Sequence, residues 1–101
     1  MVEAGEAALH FMMGRDRAAL DADRMLLFAV VRAVEVLGEA ASRVSEETRL
    51  LASGVPWSAI VRMRNRLIHG YFNMDTDIVW VTVTDEMPVL LAQLRALLVA
   101  N

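Results

Sequence analysis

Apolar residues recur along most of this chain at the spacing of one helix face. Leu27, Val30, Val31, Val34, Leu37, Ala41 and Val44 follow the i, i+3, i+4, i+7 pattern, while Arg32, Glu35, Glu39 and Arg43 line the other side. Glu39 and Arg43 stand in the favourable acid-first i, i+4 order. Upstream, Val2, Leu9, Met12 and Met13 predict a first helix over Val2–Met13 with Gly14 as its stop. The charged run Gly14–Asp23 reads as a connection, from which Asp21 or Asp23 can begin the next helix. Ser45 ahead of Glu46 and Glu47 has the composition of a helix start, and Ser53–Pro56 keeps that helix short. A further helix restarts at Trp57, with Ile60, Met63, Leu67 and Gly70 in one stripe and Gly70 or Asn73 as its end. Leu90, Leu91, Leu94, Leu97 and Leu98 give the face of a last helix, where Pro88 either occupies the first turn or kinks a longer element.

The stretch Asp77–Val83 is rich in β-branched residues, which favour a strand on propensity alone. No second strand candidate exists to pair with it, and an isolated hairpin is marginal in water. The stretch is therefore assigned to helix. The sum is an all-α, up-down bundle of four to five helices, mostly antiparallel, in a single domain over residues 1–101.

Composition narrows what such a bundle can do. The chain is 56% hydrophobic, above the usual range of about 45–50%. A domain of 101 residues has limited interior to fill, so the excess points to an apolar face kept for a partner, and dimerisation would help it bury surface. The net charge of −3 argues against coating nucleic acid through bulk charge, though not against a small basic site. All 10 basic residues are arginine, which suits two-pronged contacts to phosphate or carboxylate, although a biased genome produces the same composition. The absence of cysteine removes disulfides, thiolate catalysis and cysteine metal sites. His10 and His69 lie far apart, so neither a histidine metal site nor another cofactor is expected. The longest uncharged run, Leu50–Val61, is too short and too broken to cross a bilayer. Glu3 and Glu6 precede any apolar run, unlike a signal peptide. A soluble, cytoplasmic protein without a membrane partner is expected.

Chemistry concentrates in the stretch Arg64–Asn73, RNRLIHGYFN. On an ideal helix Arg64 and Tyr71 share a stripe, and Asn65 and His69 are neighbours, while Arg64 and His69 point about 140° apart. Arg64 and His69 can meet at one phosphate if the helix loosens before Gly70, or if two copies of the motif face each other across a dimer. Histidine can take or give a proton near neutral pH. Arginine can grip a phosphate and stabilise the charge of a pentacovalent phosphorus, and asparagine can orient the imidazole or a hydroxyl. These parts suit metal-free cleavage of RNA, in which the ribose 2′-hydroxyl is itself the nucleophile. Arg62, Arg64 and Arg66 at alternate positions are expected to form a basic ring that draws RNA in. The plainer alternatives are a histidine that caps or packs, arginines in ordinary salt bridges, and Glu39 as surface charge or as the partner of Arg64 or Arg66. Trp57 and Trp80 read as core anchors rather than base-stacking platforms, the methionines as gap fillers, and His10 as a core-edge residue.

The sequence MRNRLIHGYF resembles the signature of the HepT toxins, a branch of the HEPN superfamily: arginine, four residues, histidine, one residue, tyrosine, here Arg64, His69 and Tyr71. LGEAASRVSEE at Leu37–Glu47, VPWSAIVRMRN at Val55–Asn65 and DIVWVTVTDEMPVLLAQL at Asp77–Leu94 resemble the family too, so the likeness covers roughly residues 20–100. It implies a HEPN bundle paired as a homodimer with the motifs lining a cleft. It also implies a metal-independent endoribonuclease that acts as the toxin of a toxin–antitoxin pair. Arg64 and His69 would be catalytic with Asn65 in support, and RNA would be the substrate. The implied partner is a MntA-like nucleotidyltransferase antitoxin that transfers AMP to Tyr71. AMP on Tyr71 would add charge and bulk on the stripe of Arg64, in competition with RNA. Two other functions compete: a HEPN module that binds nucleotide or a nucleotidyltransferase without cutting, and a purely structural dimer.

Overall fold

A computed structural model describes residues 1–68 and 75–100, and the side chains of 1–67 and 75–97. Four long helical runs carry the fold: α1 (Val2–Met12), α3 (Arg24–Ser42), α5 (Trp57–Ile68) and a continuous run over 76–100. That last run is α6 (Thr76–Val81), a widened π turn at Thr82–Glu86 and α7 (Met87–Ala100). Two short helices, α2 (Arg17–Ala22) and α4 (Glu46–Leu51), fill connections. No strand occurs among the described residues, so the all-α expectation holds and the β-branched stretch 77–83 is helical.

The local reasons are those the polar residues announce. Gly14 takes φ +72°, a left-handed conformation open to glycine, just beyond α1. Asp16, Asp23, Ser45 and Asp75 each accept a backbone N–H at the start of α2, α3, α4 and α6. The run Gly14–Asp23 is thus more than a connection: the cap from Asp16 and the Arg17–Asp21 pair at i, i+4 hold a helix within it. Pro88 lies inside the long final run. Its ring has no N–H for the carbonyl of Thr84 and would crowd it. The ladder widens just ahead of it, with the Met87 N–H donating to the Thr82 carbonyl five residues back.

The core follows the expected stripes. Val30, Val31, Val34, Leu37 and Ala41 of α3 are buried, with Ile60, Met63 and Leu67 of α5 and Leu90, Leu91 and Leu94 of α7. Trp57 is buried and its indole N–H donates to the Ala52 carbonyl at 3.1 Å, while Trp80 packs against the core from its edge. Met12, Met63 and Met87 fill the interior, whereas Met13 and Met25 are exposed. His10 is exposed in the last turn of α1 and not at the core edge, because Leu9 and Met12 take the inward positions around it.

In space α3 packs on α1 and α5, and α1 packs on α7, while α5 and α7 barely touch. The molecule measures 42 × 27 × 17 Å, so along its thin axis it is less than two helix diameters deep. A slab this thin leaves α5 covered by α3 on one side and open on the other.

Candidate functional site

Helix α5 carries the arginine motif and divides it between two environments. Positions 62 and 66 lie about 40° apart around an ideal helix, with 64 roughly opposite. Burial of Ile60, Met63 and Leu67 fixes the roll of α5 against the core. Arg62, Asn65 and Arg66 consequently border the open side, and Arg64, half-buried, lies against α3. The alternate spacing thus turns the stem of Arg64 toward α3 and leaves Arg62 and Arg66 at the groove, while His69, around which a basic ring was expected, lies outside the described residues.

The contact between Arg64 and α3 is made at Gly38. An ideal Cβ at Gly38 would overlap Cβ and Cγ of Arg64 and come within 3.4 Å of its Cδ. The Nε of Arg64 donates to Oδ1 of Asn65 at 3.0 Å. Among the described residues no carboxylate pairs with Arg64, which leaves its terminal N–H groups available to an anion. Arg66 is engaged differently: its Nη2 donates to both carboxylate oxygens of Glu86 at 3.1 Å, from the π turn. Glu39 pairs with Arg43 at 2.7 Å, so it is a surface charge and holds neither Arg64 nor Arg66.

Between α5 and the final helical run lies an open groove of 1040 Å³. Ile60, Met63 and Leu90 supply apolar walls, Arg62 and Arg66 stand on one rim, and Asp85 and Glu86 on the other. His69 and Tyr71 fall outside the described residues, as do Gly70 and Asn73, the expected helix ends.

The chain re-enters the described region at Asp75, and a polar cluster fixes it there. Asp75 caps α6 through the N–H groups of Asp77 and Ile78. Arg17 of α2 pairs with Asp21 at 2.6 Å and with Asp77, and donates to Thr76 Oγ1 at 2.9 Å, while the Thr76 hydroxyl donates to Asp21 at 2.7 Å. The hydrogen bond from Thr76, followed by that from Arg17, lowers the pKa of Asp21, and Asp77 ahead of Asp21 raises that of Arg17. Reading the sequence did not find this clasp. The i, i+4 spacing of Arg17 and Asp21 was a visible signal, but the link to Thr76 and Asp77 spans some sixty positions and has none.

Comparison with known proteins identifies the family. The family model described as "Ribonuclease HepT-like" matches residues 1–97. A protein of Thermococcus cleftensis named "Probable ribonuclease HepT" is 40% identical over 68 residues, covering 67% of this chain and 62% of that protein. Two proteins that carry the name "Putative RNase" are also similar. That of Caldanaerobacter subterraneus subsp. tengcongensis is 41% identical over 76 residues, 75% of this chain and 68% of its own length. One from Methanocaldococcus jannaschii is 32% identical over 88 residues, 87% of this chain and 81% of its own length. The chain thus spans less than two thirds of the first of these relatives. No solved structure matches it. With an all-helical fold among the described residues and one family model matching nearly its whole length, the chain belongs to the ribonuclease HepT-like family.

Proposed function

We propose that this protein is the toxin of a toxin–antitoxin pair, an endoribonuclease that cleaves RNA without a metal ion. The observation that carries the proposal is Arg64, held by Asn65 and free of any carboxylate among the described residues, five positions before His69 in the motif of a ribonuclease HepT-like chain. In the reaction an imidazole of His69 takes the proton of a ribose 2′-hydroxyl. The 2′-oxygen bonds to phosphorus, the bond from phosphorus to the 5′-oxygen breaks, and an imidazolium protonates the leaving oxygen. The products are a 2′,3′-cyclic phosphate and a 5′-hydroxyl. The two imidazoles come from two copies of the chain in a homodimer. Arg64 neutralises the charge that gathers on the phosphoryl oxygens. Arg62 and Arg66 bind flanking phosphates, for which Arg66 exchanges Glu86 for RNA.

The antitoxin in this reading is a MntA-like nucleotidyltransferase. The Tyr71 hydroxyl attacks the α-phosphorus of ATP, pyrophosphate leaves, and the adenylyl phosphate then competes with RNA for Arg64. The test is cleavage of total RNA in the presence of chelator. His69→Ala and Arg64→Ala should each lower the rate by at least about 100-fold while the circular dichroism spectrum stays that of the parent. Parent-like cleavage by both variants would overturn the catalytic assignment. Binding of RNA without cleavage by the parent would favour a HEPN binding module instead. Co-expression with a MntA-like nucleotidyltransferase should add AMP to the peptide holding Tyr71, and an unmodified peptide from an active pair would remove the modification from the scheme.

A further inference from the structure

A glycine inside a long amphipathic helix is unfavourable relative to alanine, so its presence on a buried face asks for a packing or functional reason. Gly38 is the only glycine of α3 and belongs to its buried face. Its neighbour across the helix pair is the stem of Arg64, beginning at Cβ and running to Cδ, and not the far end of a flexible side chain. A methyl group there could not be avoided by swinging the guanidinium aside. Either α5 would move away from α3 or the whole arginine would leave its rotamer.

We propose that Gly38 is a positioning residue for Arg64, the open shelf on which the arginine stem lies and which sets where its guanidinium points. The inference rests on the reading of Arg64 as the phosphate clamp. Three contacts support it together. The stem is fixed from below by Gly38. The Nε is fixed from the side by the Asn65 amide oxygen. The terminal N–H groups form no ion pair with a carboxylate among the described residues. The two flanking arginines lack this arrangement, since Arg62 is exposed and Arg66 is held at its tip by Glu86. A side chain locked at its stem and unspent at its tip is the pattern of a preorganised anion ligand.

The test compares two glycines whose added Cβ would meet another helix in different places. Gly38 faces Arg64, and Gly5 of α1 faces Leu91 and Met87 of α7, where an added Cβ would stand 2.7 Å from a Leu91 methyl. Gly38→Ala, Gly5→Ala and Arg64→Ala are assayed on single-stranded RNA of mixed sequence with unmodified, all-Rp or all-Sp phosphorothioate linkages. A guanidinium that grips one non-bridging oxygen makes the rate depend on which oxygen is sulfur. Gly38→Ala should slow cleavage about 10- to 100-fold and move the Rp-to-Sp rate ratio toward that of Arg64→Ala. Gly5→Ala should lower Tm and keep the parent ratio. A Gly38→Ala protein with the parent ratio and a rate within about twofold of the parent overturns the inference, as does a Gly5→Ala protein whose ratio shifts equally. If Arg64→Ala slows cleavage while Gly38→Ala does not, only the positioning role falls. If Arg64→Ala cuts like the parent, the catalytic reading falls and the inference with it. Should Gly38→Ala not fold, ¹⁵N relaxation of the arginine Nε groups in the parent decides, with Arg64 assigned from Arg64→Lys. An Arg64 Nε well ordered relative to that of Arg62 supports the positioning role, and equal mobility overturns it.

Discussion

The α1–α3 side of the bundle and the α5–α7 side are made of similar apolar material and put it to different use. On the first side, Ala8, Val30, Val34, Leu37 and Ala41 are completely sealed, and the polar residues outside them settle into short-range pairs such as Glu39 with Arg43. On the second, α5 and α7 stand apart around a groove of 1040 Å³, with Val89 61% exposed beside it and the Arg66–Glu86 pair on its rim. Helix α3 is the wall between the two. Its buried face carries valine and leucine in the shared core and sets Gly38 against Arg64 of α5. The half that is full supplies stability, and the half that is open keeps its arginine motif within reach of a ligand. The exposed apolar residues are not confined to that second half, since Met25, Phe28 and Val36 of α3 are exposed as well as Val89 of α7.

This division can be broken by experiment. The largest effect belongs to Leu37→Ala, which opens a cavity in a residue that is 0% exposed and should cost about 2–5 kcal/mol of unfolding free energy in urea titrations. Next comes Ser45→Ala, which removes the side-chain acceptor at the start of α4 and should cost about 1 kcal/mol. On the open side, Val89→Ala and Glu86→Gln should each stay within about 0.5 kcal/mol of the parent, because a half-solvated methyl and an exposed ion pair contribute little. A loss from Val89→Ala as large as that from Leu37→Ala would mean the groove is closed in solution, and the contrast would dissolve. The smallest effect is electrostatic. Asp21 is held below the ordinary carboxylate range by Thr76 and then Arg17, and Asp23 by the backbone N–H of Leu26 and then Arg15. A carboxylate whose pKa is lower in the folded state stabilises that state above its unfolded pKa of about 3.9, and this contribution fades as pH falls through the folded value. Stability of Asp21→Asn/Asp23→Asn should therefore vary less with pH below about 4 than that of the parent, as followed by acid titration of the helical signal.

Helix reading succeeded where the signal was local. Six of the seven apolar positions from Leu27 to Val44 fall on the inner side of α3, Val44 packs against the core just past its end, and Ser45 caps α4 as its neighbours suggested. It failed at α2 because six residues carry too short an apolar period to separate from a loop, and only the Asp16 cap and the i, i+4 pair of Arg17 with Asp21 distinguish them. At the site, the motif residues could be named from the sequence, but the hydrogen bond from Arg64 to Asn65 could not, since helical spacing pairs Asn65 with His69. The separation of Arg64 from Arg62 and Arg66 was not legible, and neither was the partner of Arg66, twenty positions downstream at Glu86.

By itself, then, the sequence determined the helices, their caps, their buried stripes and the residue types that would meet an anion, because each depends on neighbours within about one helical turn. The tertiary structure alone decided how α5 is rolled between α3 and the groove. That roll depends on burying Ile60, Met63 and Leu67 together with residues from α1, α3 and α7. It turned one arginine of three onto a glycine of another helix, and no pattern along a single segment encodes a contact between two.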